Sequence, residues 1–233
     1  MNMKNIKDKI ILHKYYLVVI FIMLIIIIIM GILLLSKRTT NFKNPYEVEI
    51  SPTDNFLFIG DSITDYYPLE EYYDNLPVVN SGIAGNKTTD ILSDMKTRVY
   101  QYNPTKVFLL IGTNDLDSNA EGIVDTTFNN IKEIITEIKE NRSAATIYVE
   151  SVYPVNSIIE NSSAGNRTNK KIRELNKKLS NYCSKGNCTY INLFNELKDE
   201  EGNLKEEYTE DGLHLNNLGY VVVTRELLPY LNE

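Results

Sequence analysis

Histidine and cysteine occur only twice each among 233 residues, and tryptophan not at all. His13 belongs to an N-terminal tail, so a general base working near neutral pH has one candidate, His214. Cys183 and Cys188 stand in a C-x4-C spacing with no histidine nearby, which argues against zinc. In their polar, glycine-bearing loop they could instead close a small disulfide in an oxidising compartment, two free thiols being the alternative. Gly-x-Ser-x-Gly is absent, and no internal repeat is visible. Basic residues are also short: from Thr39 onward 18 Lys and Arg face 30 Asp and Glu, a balance of −12. A surface of that sign repels polyanions, which excludes nucleic acid as a partner and suits neutral or cationic ligands.

Charge is missing altogether from Leu17 to Leu35, an isoleucine-rich run of 19 residues. At about 1.5 Å per residue it would span roughly 28 Å as a helix, close to a bilayer's hydrocarbon thickness. The run is too long for a signal-peptide core and lacks a small-residue cleavage site, so it predicts an uncleaved transmembrane anchor contacting the lipid bilayer. Lys4, Lys7, Lys9 and Lys14 precede it, against Lys37, Arg38 and Lys43 after it. That excess puts residues 1–16 in the cytoplasm and the remainder outside. Residues 36–53 hold Pro45 and Pro52 and no periodicity, and read as a stalk. A single domain over 54–233 follows.

Within it, apolar runs ending in polar turns alternate with helical spacing. Phe56–Ile59, Pro77–Asn80, Lys106–Ile111, Thr146–Val152 and Thr189–Leu193 read as strands. Helical segments are expected behind Pro68, from Ile91 to Tyr102, through Val124, Phe128, Ile131, Ile135 and Ile138, from about Arg167 to Tyr182, and from about Asn216 to Leu231. Five such cycles predict a flavodoxin-like three-layer α/β/α sandwich around a five-stranded parallel sheet.

Polar clusters follow three of the strands: Gly60-Asp61-Ser62, then Gly82 to Asn86, then Gly112-Thr113-Asn114-Asp115. In a parallel sheet those ends share one edge, where ligands collect. Ser62 is either a nucleophile there or a helix cap, since Ser62-x-x-Asp65 also fits a capping pattern. Asn114-Asp115 is either an oxyanion donor or an ordinary turn, with Asp115 and Asp117 reading as turn and cap residues. Asp211 stands three residues before His214, a spacing that brings a carboxylate to the imidazole Nδ1 in a turn. Asp61, Asp115, Asp211 and His214 could alternatively ligate a divalent cation for phosphoester hydrolysis. A silent surface-binding module is the third possibility. Asn-x-Ser/Thr occurs at Asn86, Asn141, Asn161, Asn166 and Asn187, and a glycan on Asn86 would crowd the proposed site.

Together, in this order and spacing, the four clusters resemble the four blocks of the SGNH hydrolases, the GDSL esterase and lipase family, from Phe56 to about Tyr230. The resemblance implies Ser62 as nucleophile, His214 as base, Asp211 as its orienter, and an oxyanion hole from Ser62 N–H, a glycine of the second block and Asn114. Matching Val78-Val79-Asn80 to that block favours Gly85 over Gly82. It implies ester hydrolysis through an acyl-enzyme with no cofactor and no metal. An outward-facing anchored position suggests a small ester or acylated carbohydrate, with acetyl groups on envelope or environmental polysaccharide first and lysophospholipids or thioesters as alternatives. Tyr66, Tyr67, Tyr72 and Tyr73 could stack on sugar rings or simply pack.

Overall fold

The structure, a computed structural model, describes residues 51–232 and, ahead of them, Met23 alone. The expected span over 17–35 therefore lies outside the described residues except for Met23, as does the stalk up to residue 50. Among the described residues no helix is long and apolar enough to cross a membrane. The chain divides between Lys43 and Asn44, and everything below concerns the second unit.

Five strands form one sheet: β1 Phe56–Gly60, β2 Val78–Gly82, β3 Lys106–Leu110, β4 Thr146–Glu150 and β5 Thr189–Ile191. Their order is β2-β1-β3-β4-β5 and every pairing is parallel. This is the doubly wound order in which the chain changes direction between β1 and β3, opening a crevice at their carboxyl ends.

Residue parity sorts the two faces by chemistry. Leu57, Ile59, Val107, Leu109, Ile147 and Val149 point to one side and join an aliphatic core. There they meet helix α5 (Ile123–Asn141) through Ile131, Ile134, Ile135 and Ile138, and α6 (Asn169–Tyr182) through Ile172, Leu175 and Leu179. The other side is aromatic. Phe58, Phe108 and Tyr148 lie in register on adjacent strands and stack at centroid distances of 4.6 and 4.8 Å. Tyr73 stacks on Phe58, and Tyr67 on Tyr220 of the last helix, α8 (Asn217–Leu231). Such pairs add about 0.5–1.5 kcal/mol each beyond the area they bury.

The sheet has the expected count and direction, but several local expectations change. The helix expected from Ile91 to Tyr102 is broken: α3 (Thr88–Ser93) and α4 (Met95–Arg98) meet at Asp94, whose φ of −139° is not helical, and a 3-10 turn covers Tyr100–Tyr102. Gly82 ends β2 rather than beginning the turn. A short helix, α7 (Leu193–Leu197), starts where a strand was expected to end. Its cap is Asn192, whose side chain accepts from Asn195 N–H. Cys183 and Cys188 are joined as a disulfide, with their Cα atoms 4.5 Å apart.

Candidate active site

Helix α1 (Ser62–Asp65) begins directly after β1, and Gly60 makes that abruptness possible. A Cβ there would lie 2.2 Å from Thr64 Oγ1 and 2.3 Å from Leu110 O, so any side chain would push the helix off the strand. The cap of α1 is Asp61, not Ser62: Asp61 Oδ1 accepts Ile63 N–H at 3.0 Å. The Ser62 hydroxyl is thereby free for other work. Helix α2 (Leu69–Tyr72) follows behind Pro68.

Ser62 Oγ lies 2.9 Å from His214 Nε2 across 152 residues of sequence. On the far side of the ring, His214 Nδ1 is 2.7 Å from Asp211 Oδ2. Asp211 also accepts the backbone N–H groups of His214 and Leu213 on Oδ1, at 2.8 and 3.0 Å. Burial alone would raise its carboxyl, but the ring and these two N–H donors outweigh it and bring the value down to about 2. Asp211 is thus ionised and can only accept, so the shared proton sits on Nδ1 and Nε2 offers its lone pair to the Ser62 hydroxyl. The loop carrying them is pinned by the segment after β4: Asn156 N–H donates to Gly212 O and Ser163 N–H to Asp211 O, both at 2.7 Å.

Three further donors are candidates for the site. Ser62 is the first residue of α1, so its own N–H has no partner within the helix. Gly85 has a φ of +81°, a left-handed turn that glycine adopts without strain, and its N–H has no hydrogen-bond partner among the described residues. Gly82 offers nothing comparable, because its N–H already donates to Asn80 Oδ1 at 2.8 Å. Asn114 follows β3, and its Nδ2 donates to Asn86 O at 3.0 Å, leaving a second N–H.

Asp115 plays another part. It accepts Thr88 N–H at 3.0 Å and the Thr88 hydroxyl at 2.5 Å, holding the first residue of α3. Asp61 is buried at 1% exposure with Oδ2 unpartnered, and burial raises its carboxyl to about 7. Among the described residues no three His, Cys, Asp or Glu side chains gather as a metal site. Asp211 and His214 pair with each other, whereas Asp61 caps α1 and Asp115 holds Thr88.

Two buried arginines had no signal in the sequence, since an isolated Arg carries no local pattern. Arg98 clasps the ends of β1 and β2, donating to Gly60 O at 3.1 Å, to Ser81 Oγ and O, and to Asn86 Oδ1. Arg167, just before α6, reaches Asn114. Of the four tyrosines, Tyr67 and Tyr73 are buried in the aromatic layer and Tyr72 donates to Asn217 O. Tyr66 is 55% exposed, its ring 5.4 Å from that of His214. A cleft of about 490 Å3 beside β5, lined by Arg173, Tyr190 and Lys198 among others, contains none of these residues.

A doubly wound parallel sheet that brings hydroxyl, imidazole and carboxylate into line at its carboxyl edge has the layout that serine-nucleophile hydrolysis uses. The comparisons specify the family. The GDSL-like Lipase/Acylhydrolase family matches residues 58–222, and the chain belongs to that family, the SGNH hydrolases. A solved protein from Streptococcus pneumonia, provisionally described as a platelet activating factor, is 36% identical with a TM-score of 0.72, covering 78% of this chain and 86% of that one. An acetylxylan esterase from Geobacillus stearothermophilus shares the fold at 20% identity and a TM-score of 0.60, covering 79% and 96%. The N-acylneuraminate cytidylyltransferase of Escherichia coli O18:K1:H7 is 32% identical over 180 residues, covering 77% of this chain and 41% of that protein. That of Streptococcus agalactiae is 24% identical, covering 74% and 38%. The chain thus spans about two fifths of the length of these curated relatives.

Proposed function

We propose that the protein is a serine esterase that removes short acyl groups, chiefly acetyl, from carbohydrate or cell-envelope material, held at a membrane by a helix over residues 17–35. The observation that carries the reaction is the line Ser62 Oγ to His214 Nε2 to His214 Nδ1 to Asp211, at 2.9 and 2.7 Å. Ser62 attacks the ester carbonyl as His214 takes its proton, and ionised Asp211 stabilises the imidazolium. The tetrahedral oxyanion is met by the N–H groups of Ser62 and Gly85 and the amide of Asn114. Collapse expels the alcohol, which takes the proton back from His214, and leaves an acyl group on Ser62. Water activated by the same histidine then releases the acid.

A sugar substrate is supported by the exposed face of Tyr66 beside the reacting atoms. The names of two similar proteins, an acetylxylan esterase and an N-acylneuraminate cytidylyltransferase, also concern sugars. The Cys183–Cys188 disulfide suits an oxidising, extracytoplasmic setting. Ser62→Ala should abolish turnover of a short-chain aryl ester while the melting curve stays that of the native protein. Retained turnover would remove Ser62 from the mechanism, and a preference for long acyl chains over acetyl and butyryl would defeat the carbohydrate assignment. Full-length protein should partition with membranes, and recovery in the soluble fraction would refute the anchor.

A further inference from the structure

An asparagine side chain is useful as an oxyanion donor only if its NH2 faces the substrate. Rotated by half a turn it fits the same space but offers a lone pair, which would repel the developing negative charge. Something has to fix the choice. Arg167 is buried at 7% exposure and its guanidinium only donates. Nη2 donates to Asn114 Oδ1 at 2.7 Å and Nε to Thr113 O, one residue earlier, at 2.9 Å. Nη1 donates to Ala164 O at 3.2 Å, lies 3.4 Å from Ser163 O, and pairs with the Asp117 carboxylate at 3.2 Å. The arginine is therefore held from behind by its own loop and by Asp117, while its fork grips both the backbone and the side chain of the turn after β3. With Oδ1 committed to Arg167, the Asn114 NH2 must face the other way, where one N–H meets Asn86 O at 3.0 Å.

We propose that Arg167 is a positioning residue that locks the Asn114 amide in its donating orientation, so that the oxyanion hole is complete before substrate arrives. The inference rests on the reading of Asn114 as an oxyanion donor. Lysine cannot replace the arginine, because a single ammonium cannot reproduce a planar fork directed at separate carbonyls.

A double-mutant cycle with Arg167→Lys and Asn114→Ala tests it, with kcat and KM for a short-chain aryl ester as the readout. Asn114→Ala should lower kcat by roughly 10²–10³-fold, as loss of one oxyanion donor does. Arg167→Lys should lower kcat by about 10-fold or more with KM changed less than about 2-fold, and should cost less than about 2-fold when Asn114 is already alanine. Wild-type kcat in Arg167→Lys, or an equal loss in both backgrounds, would overturn the proposal, the latter by showing a merely structural role. An Asn114→Ala enzyme with full activity would instead sink the oxyanion assignment itself. Should Arg167→Lys fail to fold, hydrogen exchange of the Asn114 Nδ2 protons in the wild type decides: one proton slowed relative to exposed asparagines supports the lock, and two exchanging as fast as theirs overturns it.

Discussion

Glu150 closes β4 with its carboxylate buried at 4% exposure, and its Oε2 accepts the Tyr153 hydroxyl at 2.6 Å. Burial pushes this carboxyl up, the Tyr153 hydrogen bond pulls it partly back, and nearby Asp61 adds to the rise, so that it reaches about 7 against an ordinary value of 4.5. Between those two values the folded chain holds a proton that the unfolded chain has already released. Stability consequently falls as pH climbs through the window and levels off above it. At 1.36 kcal/mol per pKa unit the full loss is on the order of 3 kcal/mol, of which on the order of 2 kcal/mol falls between pH 5 and pH 8. For a domain of this size that is a difference of roughly 5–10 °C in Tm. Glu150→Gln removes the titration while its carbonyl can still accept from Tyr153. Any fixed cost of the new amide appears at every pH and cancels from the comparison. Thermal melts of the two proteins from pH 5 to 8 should therefore diverge, with the variant gaining on the wild type as pH rises. Asp61, also near 7, titrates in both and adds only through its repulsion of Glu150. Parallel curves would refute the reasoning.

Asp211→Asn should keep the loop folded, because an amide oxygen can still accept the N–H groups of Leu213 and His214, yet lower kcat by about 10⁴-fold by favouring the wrong histidine tautomer. Steady-state kinetics on an aryl acetate would show it, and a loss below about 10-fold would contradict the role. Tyr66→Ala should lower kcat/KM on an acetylated oligosaccharide by about 3- to 10-fold, the worth of one aromatic contact, while p-nitrophenyl acetate changes less than about 2-fold. Equal losses on both substrates would end the case for a sugar platform.

The architecture was legible because the inner strands β1 and β3 are buried on both faces and so read as apolar runs, as in Phe56–Ile59 and Val107–Leu110. Ser62, His214 and Asp211 were legible through scarcity and spacing: one histidine in the domain, with an aspartate three residues before it. The cap on α1 stayed open in the sequence because Ser62 and Asp61 are both good capping residues, and only the backbone shows which side chain reaches Ile63 N–H. The break at Asp94 was invisible because apolar positions stay in helical register on both sides of it. The grips of Arg98 and Arg167 join residues far apart in sequence, and no pattern of neighbours encodes them.

His214 and the Ser62 hydroxyl it faces sit at opposite ends of the domain's sequence, and α8, which follows His214, also docks against α1 and the turn after it: Tyr220 donates to Ile63 O at 2.7 Å, and Thr224 Oγ1 lies 2.6 Å from the Tyr67 hydroxyl. A chain still leaving the ribosome has its serine long before it has its histidine. On the proposed mechanism the Ser62 hydroxyl therefore has no base until the segment carrying His214 has been made and folded back against it.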